Sequence, residues 1–412
     1  MAKVDLLIKE AKELITLSGP NSPRCGEDLE KLGIIEDGSV AIDDGRIVEV
    51  GRNLKLSAKT VIDAKNKTVI PGFVDPHTHL VFGGSREFEF DWKLQGLSYM
   101  QIKDRGGGIG YTVRKTREAS AEELYAQAAG RLKRMLNCGT TTCEAKTGYG
   151  LDTKTELKLL EVAERLREDF PADIVMTFLG AHDVPKGSTV DDYLDLVIDE
   201  MLPAVKNRVS FCDVFCEQGV FSLDQSKRLL TKAKKLGMGL KIHADEIVQT
   251  GGAGLAADLG AISADHLLRS SEQDMKKMAK KGTIGVLLPG TPFALRMKEY
   301  APAEKLIESG VPIALATDLN PNCWVENMQF MIQLACFNMG LTPAQALTAA
   351  TFNSACAIGM QDEVGSLEVG KKADCVILDA PNYRFLPYHF GVNLAETVIK
   401  SGRIVANTDI KK

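Results

Sequence analysis

The chain has 412 residues and only six histidines. Two of them stand in Asp75-Pro-His-Thr-His79, at the end of the apolar run Val69–Val74. Alternate side chains of an extended segment share a face, so His77 and His79 point the same way and can grip one ion. His182, His243 and His266 each end another apolar run, and Asp318 ends a further one. The sixth, His389, lies in the C-terminal segment. Three neutral imidazoles and one carboxylate suit Zn²⁺ or Fe²⁺, and His77, His79, His243 and Asp318 form the natural set. Such an ion lowers the pKa of bound water from about 15.7 to about 7. Asp318 can bind metal, take a proton from that water, or both. His266 is left to polarise a carbonyl or move a proton. Glu246, three residues after His243, can act as general base or hold a ring N–H. No lysine is expected beside the histidines as a bridge between two ions, so one ion is expected.

Three further stretches carry binding chemistry. Arg86 follows the first histidine pair closely, and its fork can clamp a carboxylate bidentately. Tyr149 lies in Lys146-Thr-Gly-Tyr-Gly-Leu151, after another apolar run. Gly106-Gly-Gly-Ile-Gly-Tyr111 has the composition of a mobile lid. It is not a phosphate loop, because the G-K-[ST] ending is absent.

The elements that position these groups alternate. From the opening strand, strands are expected at 140–146, 173–182, 211–217, 240–246, 261–267, 283–288 and 312–319. Each is followed by a helical pattern, two of them opened by capping boxes at Ser120 and Ser222. Eight strand–helix units fit a (β/α)8 TIM-like barrel, whose active sites lie at the C-terminal ends of the strands. Five histidines and Asp318 fall at those ends. Both chain ends instead read as short strands with hairpin turns at Asp44-Gly45 and Ser401-Gly402. They imply a small β-sandwich-like domain built from residues 1–68 plus 362–412, beside a barrel over 69–361.

Composition narrows the class. A net charge of -5 argues against a nucleic-acid partner. No run reaches the roughly 18 apolar residues of a membrane span, and the N-terminus lacks the apolar stretch of a signal peptide. The nine cysteines are scattered, with Cys212 and Cys216 on one strand face, and read as reduced thiols of a cytoplasmic protein.

Longer stretches carry a resemblance. Pro71-Gly-Phe-Val-Asp-Pro-His-Thr-His-Leu-Val-Phe-Gly-Gly-Ser-Arg86, Phe178-Leu-Gly-Ala-His182, Lys241-Ile-His-Ala-Asp-Glu246, Ser263-Ala-Asp-His266 and Thr317-Asp318 resemble the amidohydrolase superfamily. The similarity runs from about residue 34 to 405 and favours its branch that opens a cyclic amide in histidine breakdown. It implies hydrolysis of 4-imidazolone-5-propanoate to N-formimidoyl-L-glutamate by a metal-activated water. By position, His77, His79, His243 and Asp318 match metal ligands, and His266 matches the catalytic histidine. Arg86, Tyr149, His182, Glu246 and Asn320 match substrate contacts, with Asn322 and Cys323 in the same stretch. Many relatives read Asn-Pro-Gly-Ser/Thr there, whereas this chain reads Asn320-Pro-Asn-Cys323. The expected partner is a small molecule bearing a carboxylate, and the expected assembly a homodimer. Two other readings stay open: an aminohydrolase that expels ammonia from another nitrogen heterocycle, and a metal-binding scaffold without turnover.

Overall fold

A computed structural model describes residues 3–97 and 99–407. Eight parallel strands succeed one another in chain order: Phe73–Asp75, Thr140–Lys146, Asp173–Ala181, Phe211–Cys216, Gly239–Ala244, Ser263–His266, Ile284–Leu287 and Ile313–Leu315. The last meets the first just past their ends. Thr78 bridges Leu319, His79 N donates to Leu319 O at 2.9 Å, and Asp318 N donates to His77 O at 3.0 Å. The sheet therefore closes, and the fold is the expected (β/α)8 barrel. Helices follow the strands, and the capping boxes at Ser120 and Ser222 are both formed.

The second sheet takes strands from both ends of the chain. It comprises Lys3–Ile15, Ile34–Asp43, Arg46–Arg52, Ser57–Asp63, Thr68–Pro71, Cys375–Leu378, Ala395–Lys400 and Arg403–Asn407. Lys3–Ile15 breaks register between Ile8 and Ala11, with Glu10 at φ 57°. This bulge bends the strand. Its first half pairs with Ser57–Asp63 and its second with Thr68–Pro71. The sheet curls around a core that includes Ile8, Leu14, Val40, Val69 and Ile377.

Two local expectations change. The run Val69–Val74 is not one strand. Thr68–Pro71 pairs with Cys375–Leu378 in the terminal sheet, and only Phe73–Asp75 enters the barrel. Gly72 marks the junction, where a Cβ would lie 2.2 Å from Thr141 Oγ1. The glycine stretch at 106–111 is not an open loop either. It starts the helix Ile109–Glu118, and Gly108 N donates to Glu89 Oε1 at 2.7 Å. The helices Phe88–Leu94 and Ile109–Glu118 were not expected from the sequence.

Candidate metal centre and active site

The strand ends bring five imidazoles into one mouth. His77 lies 4.5 Å from His243, 5.6 Å from His79 and 5.5 Å from His266, centroid to centroid. One ligand atom each from His77, His79 and His243 falls within 4.8 Å of the others, and so does one each from His77, His266 and Asp318. Asp318 Oδ1 is 3.5 Å from His77 Nε2 and 3.6 Å from His79 Nε2. The sequence set is thus gathered, with His266 close enough to share it. His266 and Asp318 adopt left-handed backbone, φ 78° and 53°. Such conformations are uncommon outside glycine and concentrate at functional sites.

Buried nitrogens show what the cluster suits. His77 Nε2, His79 Nδ1, His243 Nε2 and His266 Nδ1 are buried without hydrogen-bond partners. Orphans of this kind are costly and rare singly, and here they fall on the clustered rings. Burial, and then neighbouring Lys146 or other imidazoles, push His77, His79 and His266 well below the usual histidine pKa. Those rings are neutral, the state a metal requires. His243 goes the other way: burial lowers its pKa, but Asp213 outweighs this and raises it. The donor set fits a divalent ion.

The cluster rests on a charged floor. His77 Nδ1 lies 2.6 Å from Asp265 Oδ2, and His243 Nδ1 lies 3.0 Å from Asp213 Oδ2. A carboxylate can only accept from His77, so Nδ1 carries the proton and Nε2 keeps its lone pair for a metal. Lys146 Nζ is 2.7 Å from Asp213, 2.9 Å from Glu144 and 3.6 Å from Asp265. Lys241 Nζ is 3.2 Å from Glu144 and donates to Pro76 O at 2.8 Å. Burial pushes Asp213 up, yet His243 and Lys146 prevail and hold it well below the usual range. Two lysines therefore do lie beside the histidines, contrary to the sequence expectation. Their amines are committed to carboxylates, which leaves neither free to bridge two ions. Formally, three carboxylates face two ammonium groups, a balance that favours a cation above them. The sequence signal was available: Glu144 and Lys146, and Lys241 and His243, stand at alternate positions of strands that are otherwise uncharged.

The remaining residues fall into two groups. His182 stacks on His79 at 4.9 Å, and Tyr149 lies 5.1 Å from His182 and 5.4 Å from His79. His182 Nδ1 donates to Gly148 O at 3.1 Å, and burial pulls its pKa down to about 3. Glu246 Oε2 is 3.7 Å from His266 Nε2, and burial followed by the nearby Asp318 pushes its carboxyl up to about 8. Asp318 Oδ2 accepts from Thr291 Oγ1 at 2.6 Å. The second group lies to one side. Asn320 Nδ2 donates to Asp318 O at 2.7 Å, and its Oδ1 accepts from the N–H groups of Asn322 and Cys323. Asn322, Cys323 and Arg86 line a cavity of about 600 Å³, together with Lys93. Arg86 does not present its fork there as expected. Nε and Nη2 pair with Glu89 at 2.8 and 2.9 Å, which leaves Nη1 outside that pair.

A closed barrel, a curled sheet from both termini and a mouth of clustered imidazoles and carboxylates are the makings of a metal-dependent hydrolase. The model of the amidohydrolase family matches residues 68–405, and the chain belongs to that family. Similar folds include a zinc-bound adenosine deaminase from Xanthomonas campestris, at TM-score 0.74 and 20% identity over 98% of this chain and 93% of that one. Another is the atrazine chlorohydrolase from Arthrobacter aurescens complexed with zinc, at TM-score 0.73 and 17% identity over 98% and 95%. At such identities the likeness shows the fold alone. Closer relatives go further and place the chain among the imidazolonepropionases. Those of Alkaliphilus metalliredigens and Geobacillus kaustophilus are each 52% identical to it, over 98% of both chains.

Proposed function

We propose that the protein hydrolyses the ring amide C–N bond of 4-imidazolone-5-propanoate, giving N-formimidoyl-L-glutamate. The observation that carries this reading is a cluster of imidazoles at the barrel mouth, tied through Asp318 and Asn320 to the wall of a cavity lined by Arg86 and Lys93. The first suits a hydrolytic metal, the second a carboxylate. His77, His79, His243 and Asp318 would hold one divalent ion, Zn²⁺ or Fe²⁺. When bound, it supplies Lewis acidity that makes water nucleophilic at neutral pH.

The chain's own groups do the rest. Asp265 and Asp213 orient the imidazoles from below. Asp318 accepts the proton that water gives up as its oxygen bonds to the ring carbonyl carbon. The C–N bond then breaks, and the departing nitrogen takes a proton. Glu246, with its carboxyl raised to about 8, keeps a proton near neutrality and is placed to donate it; His266 Nε2, 3.7 Å away, can return one. Tyr149 and His182 form a wall against the ring, and Asn320, Asn322 and Cys323 shape the side toward the substrate carboxylate. The unpaired cysteines support a reducing, cytoplasmic setting, and a homodimer is the assembly we expect.

Metal analysis with a substrate panel tests the reading. Ring absorbance and ammonia release are followed separately. Loss of ring absorbance on the imidazolone without ammonia is expected. Ammonia release from a different heterocycle, with no ring opening, would establish the aminohydrolase reading instead.

A further inference from the structure

Arg86 brings no net charge to the cavity. Glu89, 1% exposed, takes two of its guanidinium nitrogens, and Gly108 N holds the same carboxylate. Pulling such a buried pair apart leaves a charge uncompensated, which is costly. Lys93 is different. It is half-buried, and among the described residues no carboxylate forms an ion pair with it. Its Nζ donates instead to a neutral amide, Asn322 Oδ1, at 2.6 Å, and reaches Asn322 O at 3.5 Å. Asn322 Oδ1 also lies 3.4 Å from Arg86 Nη2. One uncharged oxygen thus sits where two cations converge. Burial, followed by the charge on Arg86, lowers the Lys93 pKa, while Glu89 acts the other way.

The cavity is tied to the reaction centre. Its wall residues Asn322 and Cys323 hang by their N–H groups from Asn320 Oδ1, and Asn320 is bonded to Asp318 O. Gly290 in the same wall precedes Thr291, which holds the Asp318 carboxylate. The wall that Lys93 faces is thus bonded, through Asn320, to the segment that carries Asp318.

We infer that Lys93 is the specificity-determining residue for the substrate carboxylate, and that Asn322 Oδ1 keeps the place of a carboxylate oxygen between Lys93 and Arg86. A carboxylate oxygen there would make charge-assisted bonds, about twice as strong as those of the amide it replaces. This deepens the proposed function by naming the group that reads the carboxylate.

The test is calorimetric binding to the metal-loaded protein. The probes are imidazole-4-propanoate and 4-propylimidazole, which differ in the carboxylate. Wild type should prefer the first by roughly 10- to 100-fold, the scale of one charge-assisted contact. Lys93→Met should cut that preference about tenfold or more while binding 4-propylimidazole as before. Lys93→Arg should recover part of it. Asn322→Gly should strengthen imidazole-4-propanoate alone, because a competing acceptor is gone. An unchanged preference in Lys93→Met, or equal weakening of both probes, overturns the inference. The two ideas fail separately: a protein that does not open the imidazolone ring refutes the proposed function, while the probe comparison still judges Lys93.

Discussion

The barrel floor and the side cavity both hold buried charge, and they treat it in opposite ways. Beneath the imidazoles, Lys146 and Lys241 are answered by Glu144, Asp213 and Asp265 within 4 Å. At the rim, Arg86 is answered by Glu89, but Lys93 meets only an amide. A charge that fixes geometry is safest when fully compensated, because uncompensated burial would distort or unfold the site. A charge that must recognise an anion cannot be compensated in advance, or it would have nothing left to offer.

This contrast can be broken at several points. The largest effect should come from the ligands the floor supports. Asp318→Asn or His243→Ala should reduce metal content measured by mass spectrometry and bring turnover to background. Full activity in metal-free protein would remove the metal from the account. Next is the floor itself. Lys146→Met takes from Asp213 its only lysine and leaves Glu144 and Asp265 to share Lys241, and breaking a buried pair costs about 3–5 kcal/mol. It should lower the melting temperature and weaken metal in a chelator competition by roughly 10- to 100-fold. A variant as stable as wild type would mean the floor is not an ionic scaffold.

Glu246→Gln should keep its metal and its stability but lose about 10²-fold or more in kcat. An unchanged rate would make Glu246 a bystander. The Arg86–Glu89 pair gives the smallest and most diagnostic effect. Arg86→Ala alone strands Glu89, so its kcat/KM and its stability should both fall. Adding Glu89→Ala should restore part of the stability, a coupling a double-mutant cycle measures. Additive losses would show that the two do not act as a neutral unit.

Much of this was legible in the chain. His77, His79, His243, His266 and Asp318 could be grouped because the barrel puts all strand ends on one side. The floor was missed because a lysine in a strand reads as solvent-facing until its neighbours on the alternate positions are also seen to be charged. Glu89 was missed because Gly106–Gly108 read as a loop, hiding the packed helices around it, although Glu89 stands three residues after Arg86 as a helix pair would. The split of Val69–Val74 was signalled by Pro71-Gly72, a strand-breaking dipeptide, but the apolar residues on both sides of it read as one run. Both halves are buried, one in each sheet, and at their junction Thr141 approaches Gly72 too closely for a Cβ.

That split strand also sets a schedule. The residues leading into His77 and His79 are clamped by Cys375–Leu378, and Gly72 N donates to Asp374 O at 2.9 Å. About 300 residues lie between His79 and that clamp. At a synthesis rate of about 5–20 residues per second, the first histidine pair spends on the order of 15–60 s outside the ribosome before its anchor exists. The first histidine pair of the cluster is thus made long before the strand that anchors it.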